Sequence, residues 1–397
     1  MSEWKESEIG RIPANWCTKE IGSLIEDKGI SVGVMYPGNY VDNGIPLIRA
    51  GDIKNSKIDR NVNYRISEDV NRLHKRTILK GGELLVVLVG SPGESAIVSN
   101  ENKGWNAARA VGVLKLKDVT EAKFISYALR SPIVKYSLLA ACNTSVQPTL
   151  NLKELKEVVL PWPEKLVRTE IAETLSSLDD KINLLQSQNK TLEQLAETLF
   201  RQWFVEEASE DWEVGDVNNF LSVDYGFPFN SKLFNKSDEG LPLIRIRDIQ
   251  SNETHCFTTE KFDNKYIVNT GDLLAGMDGE FRLHIWSGGK ALLNQRVCRF
   301  KPKANFISPF FVFALKKPFL NYYEQTKVGT TVIHLGKSDL DEIEIKIPPK
   351  DKIEKYTLIA NSYFKKLLNN YNQIKTLTQL RDALLPKLMS GEVRVKL

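Results

Sequence analysis

From Glu170 to Trp203 apolar residues fall at alternating steps of four and three, at Ile171, Leu175, Leu178, Ile182, Leu185, Asn189, Leu192, Ala196, Leu199 and Trp203. Nine of these ten positions are apolar. The spacing is that of a coiled-coil seam. It predicts a helix from Arg168 to Phe204, about 55 Å long at the standard rise per residue. A rod of that length needs a partner for its stripe. Tyr356, Ala360, Tyr363, Leu367, Asn370, Ile374, Leu377, Arg381, Leu384 and Leu388 repeat the spacing near the C-terminus and supply one. The expected arrangement is two long helices sharing a seam, with a globular unit before each. Asn189 and Asn370 fall on the seams, where a polar residue costs stability and fixes register. Asp351 and Glu354 have capping-box spacing at the start of the second helix. Pro386, near its end, is expected to kink or stop it.

The globular units also repeat. Trp16 recurs as Trp212, and GIPLIRAGDI (Gly44–Ile53) recurs as GLPLIRIRDI (Gly240–Ile249), both 196 residues on. Gly82-Glu83-Leu84-Leu85 returns as Gly271-Asp272-Leu273-Leu274, and Phe124-Ile125-Ser126 as Phe306-Ile307-Ser308. Thr144 and Pro161 return as Thr331 and Pro348, 187 residues on. The changing offset is the mark of loop insertions and deletions on one scaffold. Within each copy, short apolar runs bounded by Gly and Pro predict strands, at Ile45–Arg49, Leu84–Val89, Val111–Leu116 and Leu293–Phe300. Phe124–Ala140 and Ile307–Tyr323 carry helical spacing. Val158–Leu160, and Ile343, Ile345 and Ile347, predict a closing strand before each long helix. The fold class is α+β, strand-rich in each unit. The expected boundaries are 1–163 and 208–347 for the units, and 164–207 and 348–397 for the helices.

Composition narrows the class. The apolar fraction is 42%, enough for real cores. No run is long and apolar enough to span a membrane, and the polar start lacks a signal-peptide core. Cys17, Cys142, Cys256 and Cys298 form no CxxC pair and read as buried, reduced thiols of a cytoplasmic protein. The net charge of +4 is only mildly basic, so any nucleic-acid argument rests on local charge.

No catalytic constellation or metal-ligand spacing emerges. Gly336-Lys337-Ser338 looks like the end of a phosphate loop, but Thr331 stands where its first glycine belongs. Glu344-Ile345-Lys346 could end a nuclease motif, but it alternates like a solvated strand. His74, His255, His284 and His334 are scattered. No GxGxxG follows a strand, and Pro348-Pro349 is followed by Lys350, not by the aromatic of an adenine-methylase motif.

Basic charge is concentrated in two stretches. Gly44–Lys80 holds nine basic and four acidic residues, and Phe281–Lys337 ten basic and one acidic. Tyr64, Trp105, Trp286 and Tyr322 are interleaved. Such stretches suit a DNA phosphate backbone, with arginine the commonest reader of guanine. An ordinary solvated basic face is the competing reading.

The doubled order of strand-rich unit and long helix resembles the specificity subunit of type I restriction–modification enzymes. The resemblance is carried by GIPLIRAGDI and GLPLIRIRDI, and by Gly82-Glu-Leu-Leu and Gly271-Asp-Leu-Leu. Asn294-Gln295-Arg296 is similar to the family's Asn-Gln strand start. Ile171–Ile182 and Leu384–Val393 resemble its conserved helical regions. Val167-Arg168 departs from the family's usual Glu-Gln before the helix, and Tyr363–Leu367 from its Leu-Asp-x-x-Ile segment. The resemblance implies two target recognition domains, with the helices paired as an antiparallel coiled coil in an internal pseudo-two-fold repeat. It implies a non-catalytic DNA-binding subunit that reads a bipartite double-stranded site across an unread spacer. Two methyltransferase (modification) subunits and restriction subunits would be its partners. S-adenosylmethionine, ATP and Mg would belong to those partners, and this chain would hold no cofactor or metal. Basic residues near shared strand ends are the candidate DNA contacts: Arg49, Lys54, Lys57, Arg60, Arg76 and Arg109 for one half-site, and Arg245, Arg247, Arg282, His284, Arg296 and Lys327 for the other. Repetition of Arg49 and Arg245 in both units equally suits a scaffold role. A fused methylase or nuclease, and a coiled-coil adaptor with two protein-binding heads, are the rival readings. A subunit serving a type IIB or orphan methylase is a closer variant.

Overall fold

The computed structural model describes residues 4–54, 56–59, 61–142, 148–278, 281–325 and 344–396. Arg60 and Lys327, the repeat pair Thr144 and Thr331, Ile343, His334 and Gly336-Lys337-Ser338 lie outside these. The chain forms two compact units. One comprises Met1–Lys181 with Leu377–Leu397, and the other Ile182–Thr376. Each unit therefore contains one strand-rich head and one stretch of each long helix.

In the first unit, Ser95–Ile97, Leu84–Val87, Val111–Leu116 and Ile25–Val32 form an antiparallel sheet in that order. Alternation decides what each face does. Leu84, Val86, Leu114 and Leu116 face a core shared with Phe124, Leu129 and Leu138, and with Ile171, Leu175, Leu385 and Leu388 of the long helices. Leu85, Val87, Val111 and Val113 face the opposite way, onto Ile48, Ala96 and Ala107. The second unit repeats this with Leu221–Tyr225, Val297–Pro302, Leu273–Gly276 and His284–Ile285. Register is kept as well. Leu114 pairs with Ile30 and Leu84, and its counterpart Phe300 pairs with Val223 and Leu273.

A second sheet in each head, of three strands in the first and five in the second, contains a parallel strand pair. Ile45–Ile48 runs beside Asn106–Ala107, and Leu241–Ile244 beside Ala291–Leu293. Gly33 and Gly226 lie against the ends of these pairs. A Cβ there would sit 2.1 Å from the Ala107 carbonyl oxygen and 1.9 Å from that of Asn294, so only glycine fits.

The first long helix spans Lys165–Arg201 and runs into a π-helical turn at Gln202–Glu206, and the second spans Lys350–Ser390. They run antiparallel. In the second unit Asn189 accepts a hydrogen bond from Asn370 Nδ2 at 2.8 Å, and further on the Ala196 carbonyl accepts one from the Tyr356 hydroxyl at 3.0 Å. In the first unit Arg381 donates to Asp179 at 2.7 Å. The seam departs from strict heptads. Ile171, Leu175, Ile182, Leu185 and Leu367 are buried, and Leu178, Leu192, Ile374, Leu377 and Leu384 are half-buried. Toward its C-terminal end the first helix buries Ala196, Phe200 and Phe204, leaving Leu199 and Trp203 half-buried. A helix of 3.6 residues per turn drifts off a 3.5 repeat, and the wider aromatics follow the drift.

Several local expectations are corrected. Phe124–Ala140 is two helices, Ala122–Arg130 and Pro132–Ala140, because Pro132 pushes Ser131 into extended geometry. Leu293–Phe300 is interrupted by a turn at Asn294–Arg296. The second long helix runs through Pro386 to Ser390. Burial of Leu385, Leu388 and Met389 outweighs the roughly 3 kcal/mol cost of an interior proline. No capping box forms at Asp351. It lies inside the first turn and pairs with Lys355 at 3.1 Å, which holds its carboxyl below the usual range. The cysteines are free, but Cys17 is exposed and Cys142 only half-buried; the sulfur of Cys17 still donates to the Trp162 carbonyl. Arg168, the residue that departs from the family pattern, is buried. It grips Glu121 through Nε and Nη2 at 2.8 and 2.5 Å and stacks on Trp162.

Replacing Asn189 or Asn370 alone with Leu should cost about 1–3 kcal/mol by leaving one buried amide unpaired. The double replacement should recover most of that loss in chemical denaturation. A fully additive loss would count against the pair. Half-buried Glu193 offers a pH test. Burial pushes its carboxyl up to about 7, with nearby Lys317 opposing and Glu197 adding to the shift. The folded state thus prefers the proton. The resulting penalty is absent below the unfolded value of about 4.3 and grows until pH passes the folded one. Glu193→Gln should raise the melting temperature by a few degrees at about pH 8 and leave it unchanged near pH 4.

Candidate nucleic-acid interface

In each head a cavity opens just beyond the C-terminal ends of the parallel strand pair. Arg49 follows Ile45–Ile48, and Ala108-Arg109 follows the neighbouring strand. Together with Tyr36, Asp52 and Tyr64 they line a cavity of about 870 Å³. Lys54 and Lys57 face each other on the hairpin that follows, and Lys54 lines an adjoining cavity with Ala50 and Gly51. Arg49, Lys54, Lys57, Arg76 and Arg109 are all exposed. Arg76 sits in the turn after the helix Glu68–Leu73 and lines neither cavity.

In the other head Arg245, Ile246, Arg247, Asp278, Asn294, Gln295 and Arg296 line a cavity of about 510 Å³. Arg245 and Arg247 also border a second cavity with Lys236 and His255. Arg282 and His284 lie at and beside the strand His284–Ile285 and border neither. Register through the parallel bridges Val34–Ala108 and Phe227–Asn294 matches Arg109 with Gln295 and Ala110 with Arg296.

The two repeated arginines each pair with an acidic residue of their own loop. Arg245 grips Asp248 with Nε at 2.9 Å and Nη2 at 3.2 Å, and the Arg245 backbone N–H donates to the same carboxylate at 3.0 Å. The side-chain hydrogen bond to Asp248 raises the guanidinium pKa above its ordinary value. Arg49 makes the looser version, 3.5 Å from Asp52, and its side chain stays half exposed. It also stacks on Tyr64. Arg296 has positive φ (+69°), a conformation a side chain other than glycine's adopts at a cost, and its Nε lies 3.3 Å from Asp278. Gln295 and Arg296 are exposed at this turn.

The basic surplus of Phe281–Lys337 is not all surface. Arg299 is buried and bonded to Asp224 and Asp272 at 2.6 and 3.1 Å, and Lys316 is buried. Lys301 pairs with Asp224, and Lys317 with Glu197. Tyr36, which lines the first cavity, was missed by counting charge; its only sequence signal was an aromatic-rich Pro-Gly segment just ahead of GIPLIRAGDI. Among the described residues no cluster of three His, Cys, Asp or Glu could hold a metal ion, and no helix is long and apolar enough to cross a membrane.

Comparison with known proteins agrees with this doubled architecture. The chain is 26% identical to the specificity subunit of the MjaIX type I restriction enzyme of Methanocaldococcus jannaschii, over all of this chain and 97% of the relative. It is 22% identical to the HindI specificity subunit of Haemophilus influenzae, over 99% of this chain and all of the relative. The crystal structure of the type I restriction–modification S subunit from M. genitalium shares the fold, with a TM-score of 0.56 at 17% identity, covering 94% of this chain and 96% of that one. The family model for the type I restriction modification DNA specificity domain matches twice, at residues 13–194 and 209–380. Two copies of that domain span most of the sequence, and the chain belongs to the type I restriction–modification specificity family.

Proposed function

We propose that this chain reads a bipartite DNA site, one half with each head, and brings methyltransferase and restriction subunits to it inside the cell. Specificity subunits are non-catalytic, and the chemistry belongs to those partners. The carrying observation is the recurrence, in both heads, of an arginine-lined cavity at the end of the same parallel strand pair. Such a loop site can change its side chains while the core stays fixed. Arginine and glutamine are also donors suited to base edges in the major groove.

On this reading, residues 1–163 and 208–347 are the target recognition domains. The helices at 164–207 and 348–397 are spacer and partner platform. About 55 Å of paired helix corresponds to roughly 16 base pairs of unread DNA. Of the candidate contacts, Arg109, Arg247 and Arg296 are the specificity readers, with Gln295 added. Arg49, Lys54 and Lys57 hold phosphates, and Arg245 braces its loop.

Exchanging residues 1–163 for those of a relative should change one half of the methylated sequence, read by mapping modified adenines. A change in both halves would sink the modular reading. Arg109→Ala and Arg296→Ala should each relax recognition at one position by about 1–3 kcal/mol, each in a different half-site. If either instead touches only phosphate, the salt dependence of binding should flatten by about 0.9 in log–log slope, with the recognised sequence kept.

A further inference from the structure

The segment Met35–Val41 of the first head is more apolar outside than its surroundings explain. Met35 is 44% exposed, Tyr36 81%, Tyr40 51% and Val41 38%, four large side chains within seven residues. The segment is nevertheless fixed at both ends. The Val34 N–H donates to the Ala107 carbonyl at 2.6 Å, and the Val41 N–H to that of Arg65 at 3.2 Å. Between them the Tyr64 hydroxyl donates to the Gly38 carbonyl at 2.9 Å, and the Tyr40 and Tyr64 rings meet edge to face. Tyr36 is thus presented by anchored backbone at the mouth of the cavity that also holds Arg49 and Arg109.

The second head treats the same position differently. Its parallel bridge at Phe227 matches the one at Val34, which puts Phe229 where the first head has Tyr36. Phe229 is 5% exposed and packs on Phe227 and Tyr266. One head folds this aromatic into its core, and the other leaves it in water beside two cations.

We propose that Tyr36 is a specificity-determining contact of the first head alone, stacking on a base of the half-site that this head reads. A nucleobase offers the flat apolar face that an exposed tyrosine lacks a partner for. The phosphates on either side complement Arg49 and Arg109. Aromatic side chains serve nucleic-acid binders as stacking platforms, and apolar side chains as wedges at an opened base step. Because the segment is already anchored, little ordering entropy opposes the contact. The second half-site receives no such stacking. This inference rests on the reading of both heads as DNA-binding, and the test separates the two.

The assembled methyltransferase complex is bound to duplex carrying its mapped methylation site. Pyrimidines of each half-site are replaced one at a time by 5-iodouracil or 5-iodocytosine, irradiated with long-wavelength ultraviolet, and the cross-links located by mass spectrometry. Tyr36 should cross-link from one half-site only. Tyr36→Ala should abolish that cross-link and weaken binding about tenfold, and Tyr36→Phe should keep both, since the ring and not the hydroxyl makes the contact. Wild-type affinity in Tyr36→Ala, or bound duplex without a cross-link at Tyr36, overturns the proposal. So does a Tyr36→Ala chain that fails to join the methyltransferase subunits, which would make this a protein-docking surface. If Tyr36→Ala binds normally while Arg109→Ala does not, stacking alone falls. If Arg109→Ala and Arg296→Ala also leave binding and sequence unchanged, the DNA-reading role of the heads falls with it.

Discussion

The carboxylate of Asp179 ties three elements of the first unit together. It accepts hydrogen bonds from Tyr127 at 2.8 Å and Arg381 at 2.7 Å, and lies 3.3 Å from Arg130. Tyr127 and Arg130 belong to the head's helix Ala122–Arg130, Asp179 to the first long helix and Arg381 to the second. Burial by itself would raise this carboxyl. The donors outweigh it and hold the group below the ordinary carboxylate range. A buried charge that satisfied is tolerable only in one arrangement, because removing any donor leaves it short. Apolar packing would accept several rotations of the helices, whereas this hub accepts one. The second unit uses neutral groups for the same end, with the Asn189–Asn370 contact and the Tyr356–Ala196 hydrogen bond fixing register.

The sequence was most legible where a single periodicity governs. The seam announced both long helices, and the repeated GIPLIRAGDI and GLPLIRIRDI strings announced strands that pair alike in both heads. Legibility failed where two rules compete. Heptad counting placed Leu199 and Trp203 inward, while helical drift and the bulk of Phe200 and Phe204 decide the matter. Pro386 looked like a stop, but side chains on either side of it are needed in the core of the first unit. Val111–Leu116 was read correctly as one strand, whereas Leu293–Phe300 hides a turn. Alternation cannot reveal that Asn294 caps its own neighbour, its side chain accepting the Gln295 N–H at 2.9 Å.

The candidate interface was legible only as a region. Charge counting cannot separate Arg299, bonded to two carboxylates and buried, from Arg296, exposed three residues earlier. Both are arginines on one apolar-alternating stretch, and the difference lies in Asp224 and Asp272, distant in sequence. Nor can it find an uncharged contributor such as Tyr36. Repetition of Arg49 and Arg245 in both heads left scaffold and DNA contact open, and the structure shows each pairing with the aspartate three residues on, tightly for Arg245 and loosely for Arg49.

A recognition protein built from a repeat must keep what folds it and vary what it reads. The positions where the heads agree are those with no freedom. Gly33 and Gly226 admit no side chain against the neighbouring carbonyl, and Asp52 and Asp248 both accept the backbone N–H of the arginine three residues before. The positions where they differ line the two cavities, Gly51 against Arg247, Arg109 against Gln295 and Ala110 against Arg296, and Tyr36 lines the first cavity where its counterpart Phe229 is buried away from the second. Most of these project from chain that has just left a paired strand, where a new side chain meets solvent and not the core. Phe229 is the exception, since its ring became core, and so the heads differ there in shape as well as in chemistry. Two heads with identical cavities would favour a site whose halves repeat. On the proposed bipartite reading, the unlike cavities of this chain suit halves of unlike sequence.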